Sequence, residues 1–269
     1  MAEWPTISIV IPSYNQGRFI EATLRSLIDQ DYPNLELLII DGGSKDESVE
    51  IIRRYADRIT YWVSEPDRGQ TDALIKGFER AAGDIEGWLC SDDLHEPWTL
   101  REVAQFFIQH PAARAVYGDS SWIDIHGNPI KPKREHAFNR FVWTYDYNFI
   151  PQPSTFWRRE LYEQVGGLDP AIQLAMDADL WIRFADVTTL HHVRRYWSRM
   201  RFYPEQRNQR LRAQSNAEDA QMRRRYIGDE APASRKAKKV MAKSTRIAWK
   251  LATGCYWWGK DNPFTGRMK

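Results

Sequence analysis

The first 110 residues alternate between short apolar runs and segments with helical periodicity. Apolar runs occupy residues 7–11, 35–40 and 87–90, and between the first two runs apolar residues recur at helical spacing from Phe19 to Ile28. The other elements predicted here are a helix opened by a capping box at Ser44-Lys45-Asp46-Glu47, a strand over 59–63, and helices over 70–82 and from Pro97 to His110. Strands that alternate with helices of about 10–15 residues predict a mostly parallel sheet flanked by helices.

The pattern changes after residue 114. The sequence predicts strands over 115–118, 121–125 and 154–157, a turn over 126–129, a helix from Arg159 that ends at Gly166-Gly167, and a helix over 176–184. From Glu205 onward the chain is mostly helix-forming and basic. The predicted fold class is therefore α/β, with a basic helical appendage at the C-terminal end.

Polar clusters follow three of the predicted strands. They are Ser13-Tyr14-Asn15, Asp41-Gly42-Gly43 and Ser91-Asp92-Asp93. In an open parallel sheet, ligands bind beyond the carboxyl ends of the strands. These three loops are therefore expected to form one site.

Asp92 and Asp93 are the sharpest local feature. Two adjacent carboxylates at a strand end suit a hard divalent cation, which completes its shell with water and phosphate oxygens. The alternative is a helix cap, because Asp is favoured before a helix and Pro97 follows shortly. On residue types alone, the two interpretations are evenly balanced.

Three other side chains have both a binding and a structural interpretation. Asp41 would accept hydrogen bonds from a ribose or a base, or it simply belongs to an Asp-Gly-Gly turn. Tyr14 would stack on a base or pack against the protein. Arg68 precedes a predicted helix N-terminus, which is a natural anion position, or it is a solvated charge.

Asp177 and Asp179 lie near the start of the predicted helix 176–184. Two residues apart on a helix, they cannot share a face. Asp179 is expected to pair with Arg183 at i,i+4, whereas Asp177 would cap the helix or act as a base.

The sequence argues against a membrane-spanning protein, a cleaved signal peptide and a disulfide-stabilised domain, and its charge is unevenly distributed. The net charge is +2, but residues 194–269 contain 20 Lys and Arg against 6 Asp and Glu. No apolar run approaches the roughly 18–20 residues that span a bilayer, and the N-terminal segment does not have the pattern of a signal peptide. The two cysteines, Cys90 and Cys255, cannot build a disulfide framework or a cysteine metal site, so a reducing, cytoplasmic location is expected.

Seven segments together resemble the inverting family-2 glycosyltransferases, which have the GT-A fold. The resemblance covers roughly residues 5–205, and its segments, in order, are 7–15, 38–46, 67–73, Ser91-Asp92-Asp93, 153–158, Gly166-Gly167-Leu168-Asp169 and 176–181. It implies a metal-dependent, non-processive transfer of sugar from a nucleoside-diphosphate donor, with a UDP-sugar preferred. The implied acceptor is a hydroxyl of a glycan or a lipid-linked glycan in bacterial surface polysaccharide synthesis.

The resemblance also implies residue roles. The residues it assigns to the nucleotide pocket are Pro12, Ser13, Tyr14, Asp41, Arg68 and Asp92. Asp93 would bind Mn²⁺ or Mg²⁺, and Asp177 would be the general base. Two positions depart from the family pattern: Met176 stands where the family often has the Glu of a Glu-Asp pair, and Tyr203 stands where it often has a histidine near the metal or diphosphate.

The same resemblance suggests a division of the chain. Residues 1–205 would be the catalytic domain, with a nucleotide-binding half over 1–115 and an acceptor-binding half over 116–205. Residues 206–269 would be a basic helical region. In it, Val240, Ile247 and Leu251 fall on one helical face beside lysines.

That face has three interpretations. In the first, residues 235–260 lie on the anionic inner surface of the cell membrane. In the second they pack on the catalytic domain, and in the third they form the contact of a homo-oligomer. Nucleic acid is not expected, because no recognised binding motif accompanies the charge.

Two other functions compete with sugar transfer. A sugar nucleotidyltransferase can share the sheet and the metal carboxylates, but it should carry a Gly-rich loop where this chain has Pro12-Ser13-Tyr14-Asn15. A non-catalytic module that binds nucleotide sugars or glycans would show binding without turnover.

Overall fold

The computed structural model describes residues 4–256, and one sheet runs through most of them. Its strands are β1 (Ile7–Ser13), β2 (Leu35–Asp41), β3 (Tyr61–Ser64), β4 (Ile85–Trp88), β5 (Leu94–His95), β6 (Ala115–Ile123), β7 (Pro129–Lys133), β8 (Thr155–Arg158) and β9 (Leu190–Arg201). The strand order is β3-β2-β1-β4-β8-β6-β9-β5. Outside this order, β7 pairs in antiparallel fashion with residues 120–123 of β6.

Helices cover the sheet and continue into the C-terminal region. They are α1 (Gly17–Ile28), α2 (Ser48–Arg54), α3 (Gln70–Phe78), α4 (Thr99–Gln109), α5 (Arg140–Tyr145), α6 (Arg159–Gln164), α7 (Met176–Val187), α8 (Arg207–Arg210), α9 (Arg212–Ile227) and α10 (Pro232–Ala252). None of the helices within residues 4–256 has the length and apolar character needed to cross a membrane.

The parallel part of the sheet brings the predicted loops together. Strands β2 and β4 both pair in parallel with β1, and β3 pairs in parallel with β2. Ser13 lies opposite Asp41, and Asp41 lies opposite Ser64, so three strands end at the same level. The mixed α/β fold with a mostly parallel first half is therefore confirmed.

Two local predictions are wrong. The helix after β2 does not begin with a capping box at Ser44, because the Ser44 hydroxyl donates to Asp41 instead. The helix begins at Ser48, whose backbone N–H and hydroxyl both donate to Asp46. The two strands predicted over 115–118 and 121–125 are the single strand β6, which continues through the polar residues between them.

Strand β9 has no counterpart in the sequence prediction. Its twelve residues include many cationic side chains and pair in parallel with β6. Several of those cations have carboxylate partners on other elements, such as Arg199 with Glu96 and Arg195 with Glu102. Long-range pairing therefore stabilises a strand whose own apolar pattern is weak.

Two apolar layers pack on the two faces of the sheet. Side chains alternate along β1, so that Ile9 lies in one layer and Val10 in the other. The layer containing Val10 is rich in tryptophan, with Trp88 and Trp181 stacked at 5.5 Å between ring centroids. Trp88 belongs to β4 and Trp181 to α7, so this contact packs the N-terminal part of the fold against the part that follows residue 115.

Helix α10 packs against α5 and the segments beside it. Trp249 stacks on His136 with 5.1 Å between ring centroids. Lys250 pairs with the buried Glu135, and Arg246 pairs with Asp146. Trp257 and Trp258, which the sequence places after this helix, lie outside the described residues.

Candidate active site

Asp41 at the end of β2 is fully buried, and its carboxylate accepts hydrogen bonds from its own loop and from Ser64 of β3. Oδ2 accepts from the backbone N–H of Gly43 (3.2 Å) and Ser44 (2.9 Å) and from the Ser64 hydroxyl (2.7 Å). Oδ1 accepts from the Ser44 hydroxyl at 2.5 Å. In this structure Asp41 therefore fixes the turn after β2, which is the structural interpretation of the residue.

The loop after β1 contacts that turn. Pro12 and Ser13 end β1, and the buried Ser13 hydroxyl has no hydrogen-bond partner within residues 4–256. The Asn15 side chain accepts from the Lys45 backbone N–H at 2.8 Å, which ties the two loops together. Tyr14 projects from this corner with 60% of its surface exposed, so its ring is free to stack on a planar ligand.

The segment before α3 lies on the other side of the Asp41 turn. Arg68 is 83% exposed at its side chain and donates to Asp72 through Nε (3.1 Å) and Nη2 (2.7 Å). Asp67 was not singled out from the sequence, yet a Cβ on Gly42 would meet its Oδ2 at 2.8 Å. Burial raises the pKa of Asp67, and the nearby charge of Asp72 adds to the shift.

Asp92 and Asp93 are buried just beyond β4. Asp92 Oδ2 accepts from the Tyr203 hydroxyl at 2.9 Å and from Gln206 Nε2 at 3.4 Å. Asp93 Oδ1 accepts from the Arg201 backbone N–H at 2.8 Å. Its Oδ2 accepts no hydrogen bond from the part of the chain that the structure describes.

The electrostatics of this pair favour an added positive charge. Burial raises the pKa of Asp93 well above its usual range, and repulsion from Asp92 adds to the shift. Burial also raises the pKa of Asp92, against the effect of the Tyr203 hydrogen bond. Carboxylate oxygens of both residues and Cys90 Sγ lie within 4.8 Å of one another. Two carboxylates at this spacing fit a hard cation that takes its remaining ligands from water and phosphate.

The residues around the pair come from the end of β9 and the segment after it. Arg201 donates from Nε to the Asp92 carbonyl (2.8 Å) and from Nη1 to the carbonyls of Asp124 and Ile125 (3.0 Å each). The residue at 203 was predicted from the sequence to depart from the family pattern, but the sequence carries no signal for Arg201 or Gln206. Their contacts span more than 100 residues, so no local pattern could have found them.

Asp177 lies in the first turn of α7 and is only partly exposed. Asn148 Nδ2 donates to its Oδ2 at 2.9 Å. Burial raises the pKa of Asp177 to about 6, while the bond from Asn148 acts in the opposite direction. Asp179 points elsewhere and pairs with Arg183 at 2.7 Å, as the sequence predicted.

A carboxylate from α9 holds the chain that leads into α7. Glu218 Oε2 accepts from three consecutive backbone N–H groups, those of Gln173 (3.1 Å), Leu174 (2.7 Å) and Ala175 (3.2 Å). These N–H groups belong to the residues that lead into the N-terminus of α7, where a negative charge is favoured. Residue Glu218 had no functional interpretation from sequence.

Cys90 lies beside the carboxylate pair and within electrostatic range of Asp177. Burial raises the pKa of its thiol well above the usual range, and the charges of Asp93, Asp92 and Asp177 all add to the shift. Its Sγ accepts from Gln70 Nε2 at 3.2 Å, at the first turn of α3. The structure therefore brings the candidate metal pair and the candidate base to the same edge of the sheet, beside the start of α3.

The sequence matches the model of the family described as Glycosyl transferase family 2 over residues 8–166. It is 26% identical over 214 residues to an uncharacterized glycosyltransferase of Rickettsia conorii, across 76% of this chain and 35% of that protein. It is 29% identical over 197 residues to a PGL/p-HBAD biosynthesis glycosyltransferase of Mycobacterium bovis, across 70% of this chain and 75% of that protein. The chain thus spans about a third of the length of the Rickettsia relative.

Solved structures show the same fold. TarS 1-349 of S. aureus in complex with UDP superimposes with a TM-score of 0.65 at 18% identity, over 93% of this chain and 74% of that chain. The mannosyltransferase PcManGT of Pyrobaculum calidifontis in complex with GDP-Man and Mn²⁺ gives a TM-score of 0.62 at 19% identity, over 98% of this chain and 83% of that chain. The matched family segment covers more than half of the sequence, and with this architecture the chain belongs to glycosyl transferase family 2 and has the GT-A fold.

Proposed function

We propose that the protein is a metal-dependent, inverting glycosyltransferase that moves a sugar from a nucleoside-diphosphate donor to an acceptor hydroxyl. One observation carries the proposal. A buried carboxylate pair lies beside Cys90 just beyond β4. Asp177, whose pKa burial raises to about 6, lies within electrostatic range of the same cysteine. Family membership and structural neighbours that bind UDP or GDP-Man support the same reaction.

At the donor end, Asp93 would hold Mn²⁺ or Mg²⁺ through its free oxygen, with Asp92 beside it. Such a cation neutralises the charge that develops on the leaving diphosphate. Tyr203 and Arg201 would keep the two carboxylates in place through the hydrogen bonds that they already make. The residue at 203 is a donor to Asp92 here and not a histidine ligand, so the cation would rely on fewer protein ligands.

The nucleotide would occupy the corner formed by the loops after β1, β2 and β3. Tyr14 would stack on the base, and the unpartnered hydroxyl of Ser13 beside Pro12 would bind a polar edge. Arg68 would reach the diphosphate, since its guanidinium is exposed before a helix N-terminus. For Asp41 to bind the base as proposed, the turn that it stabilises would have to open. If that turn stays closed, the neighbouring Asp67 would bind the base instead.

At the acceptor end, Asp177 would act as the general base. With a pKa of about 6, about nine-tenths of its carboxylates are ionised at pH 7. The acceptor oxygen would form its bond to the anomeric carbon while the bond from that carbon to the diphosphate oxygen breaks. The acceptor proton would pass to Asp177, and the electron pair of the broken bond would leave with the diphosphate. One displacement of this kind inverts the anomeric centre.

The donor and the acceptor are proposed at the level of chemical class. We propose a UDP-sugar donor, and as acceptor a hydroxyl of a glycan or lipid-linked glycan in surface polysaccharide synthesis. The M. bovis relative is named as a PGL/p-HBAD biosynthesis glycosyltransferase, so a relative of this chain also acts in a biosynthetic pathway. Cys90 and Cys255 are free thiols, which supports a reducing, cytoplasmic location.

The substitution Asp177→Asn tests the base. It preserves shape but removes proton acceptance, so we expect turnover to fall by about 10²–10⁴ while donor binding is retained. Asp186→Asn is the matched control, because it makes the same change on the same helix at a more exposed carboxylate that pairs with Arg140. Sugar transfer from a panel of nucleotide sugars, followed by product mass, gives the readout. Full activity of Asp177→Asn would overturn its assignment as the base, and a parent protein that binds donor without turnover would indicate a binding module.

Thermal unfolding tests the donor and the metal separately from catalysis. A nucleoside diphosphate that binds only the folded state at 100 times its Kd should stabilise it by about 2.7 kcal/mol. We expect this gain for one base, only with Mn²⁺ or Mg²⁺, and we expect Asp93→Ala to abolish it. Asp57→Ala, at an exposed site far from the carboxylate pair, is the control. Stabilisation that is equal with EDTA would contradict metal dependence. Conversion of a nucleotide sugar and pyrophosphate into nucleoside triphosphate and sugar 1-phosphate would indicate a nucleotidyltransferase.

A further inference from the structure

Helix α10 has an inner face that is fixed to the rest of the protein. Ala242 on this face is fully buried, and Trp249 stacks on His136. The helix also carries inner cations, at its contacts with the rest of the protein, whose charges are matched by carboxylates. Lys238 pairs with Glu230, Arg246 with Asp146 at 2.5 Å, and Lys250 with Glu135 at 2.7 Å.

The outer face, by which we mean the solvent-exposed surface of α10, carries cations without such partners. Helix α10 contains no acidic residue, and Lys236, Lys239 and Lys243 are all exposed. Within residues 4–256, no carboxylate lies within ion-pair distance of these three lysines. Their charge is therefore available to a partner, in contrast to that of the inner cations.

An apolar line runs along the same outer face. Val240, Ile247 and Leu251 stand at i, i+7 and i+11, which places them on one side of an α-helix. Val240 is 63% exposed and Leu251 53%, so the line is not covered by any described part of the chain. Lys236 and Lys243 stand four residues before and three after Val240, so both lie close to this line.

We infer that the outer face of α10, defined by Lys236, Lys239, Val240, Lys243, Ile247 and Leu251, docks on an anionic lipid surface. Apolar side chains flanked by lysines match a layer in which hydrocarbon lies beneath negative headgroups. Pairing with a second copy of the same face would bring lysines against lysines, which is repulsive. A nucleic acid would match the lysines but leave the apolar line without a partner.

The docked helix is attached to the acceptor side of the site. Arg246 pairs with Asp146 and lies over the Tyr147 ring at 5.1 Å. The next residue, Asn148, donates to Asp177. An acceptor held in the lipid surface would thus approach from the side of the candidate base. This consequence rests on the proposed function, whereas the docking itself does not.

The experiment uses the full chain and sedimentation with vesicles of phosphatidylcholine, with and without 30 mol% phosphatidylglycerol. We expect binding only to the anionic vesicles, and weaker binding as salt increases. The triple variant Lys236→Gln, Lys239→Gln, Lys243→Gln should weaken binding to anionic vesicles by about 100-fold. This estimate multiplies the effects of three lysines, each of which contributes about tenfold or less. The matched control Arg53→Gln, Arg58→Gln, Lys131→Gln removes the same charge from exposed positions elsewhere and should leave binding within about threefold.

A second variant tests the apolar line. Val240→Ser, Ile247→Ser, Leu251→Ser should also lose vesicle binding, while its nucleotide-induced thermal shift matches the parent protein. Absence of binding to anionic vesicles, or equal loss in the control triple, would overturn the inference. The inference would also be overturned if the parent protein were a dimer that does not bind vesicles and this serine variant were a monomer. Because the thermal shift reports the donor site alone, failure of docking is distinguishable from failure of the proposed transfer reaction.

Discussion

Replacing Glu218 should change the position of Asp177 while leaving its carboxylate, the proposed proton acceptor, intact. One oxygen of this partly buried carboxylate accepts three backbone hydrogen bonds from residues 173–175, immediately before α7. No hydrogen bond joins Glu218 to the carboxylate pair or to Asp177, so its substitution removes no candidate catalytic group. Any loss of rate must then come from a change in where α7 begins.

The magnitude follows from the number and type of bonds. A hydrogen bond to a charged group contributes about 1.5–3 kcal/mol, and a charge at a helix N-terminus contributes about 0.3–1 kcal/mol. Three donors that share one oxygen do not add fully, so we expect Glu218→Ala to lower the free energy of unfolding by about 2–3 kcal/mol. Glu218→Gln keeps an acceptor oxygen but loses the charge, so we expect a loss of about 1 kcal/mol.

Urea unfolding measures the stability, and initial rates of sugar transfer measure the positioning. We expect kcat to fall by about 10- to 100-fold in Glu218→Ala, with an unchanged Kd for the nucleotide, because small displacements of a catalytic group are costly. Glu163→Gln is the control, since its i,i+4 pair with Arg159 is exposed and contributes about 0.5 kcal/mol or less. A loss of stability no greater than in this control would refute the reasoning. Loss of stability with full kcat would show that Glu218 anchors α9 without positioning Asp177.

Two further predictions concern the ionisable groups of the site. Activity should rise with pH through about 6 as Asp177 ionises, and Asn148→Ala should move this midpoint upward, because it removes a donor that favours the charged carboxylate. A kcat/KM profile of both proteins checks this, and a midpoint that stays or falls would contradict it. Tyr203→Phe removes the hydroxyl that orients Asp92, and we expect it to reduce Mn²⁺-dependent stabilisation by the nucleotide while costing only about 1 kcal/mol of stability without ligand. Mn²⁺ titrations followed by thermal unfolding give the comparison, and an unaltered metal dependence would show that the hydroxyl does not act on the carboxylate pair.

The features that could be predicted from the sequence are those determined by residues close together in the chain. Strand-length apolar runs followed by polar loops predicted both the parallel sheet and the edge at which Ser13, Asp41 and Asp93 meet. The pairing of Asp179 with Arg183 followed from helical spacing alone. These features need only the periodicity of one element and the rule that parallel strands end together.

Other features depend on partners far away in the chain. The cations of β9 resemble a surface segment until Glu96 and Glu102 pair with them. Glu218 lies more than 40 residues from the backbone it binds, and Asp92 more than 100 residues from Tyr203. The saturation of Asp41 by its own turn could not be predicted either, because an Asp-Gly-Gly segment permits both a buried and an open carboxylate.

The stacked pair of Trp88 and Trp181 has a consequence for how the enzyme can move. Two residues after Trp88 comes Cys90, next to the carboxylate pair, and four residues before Trp181 comes Asp177. The separation between the donor and acceptor groups is thus set by a close-packed aromatic contact, and close-packed interiors do not deform continuously. In the proposed reaction, opening and closing around a substrate would therefore be left to the loops, while the distance between the two proposed groups would stay fixed. The two coupled indoles should also give a near-ultraviolet circular dichroism signal that is lost only when this core itself comes apart.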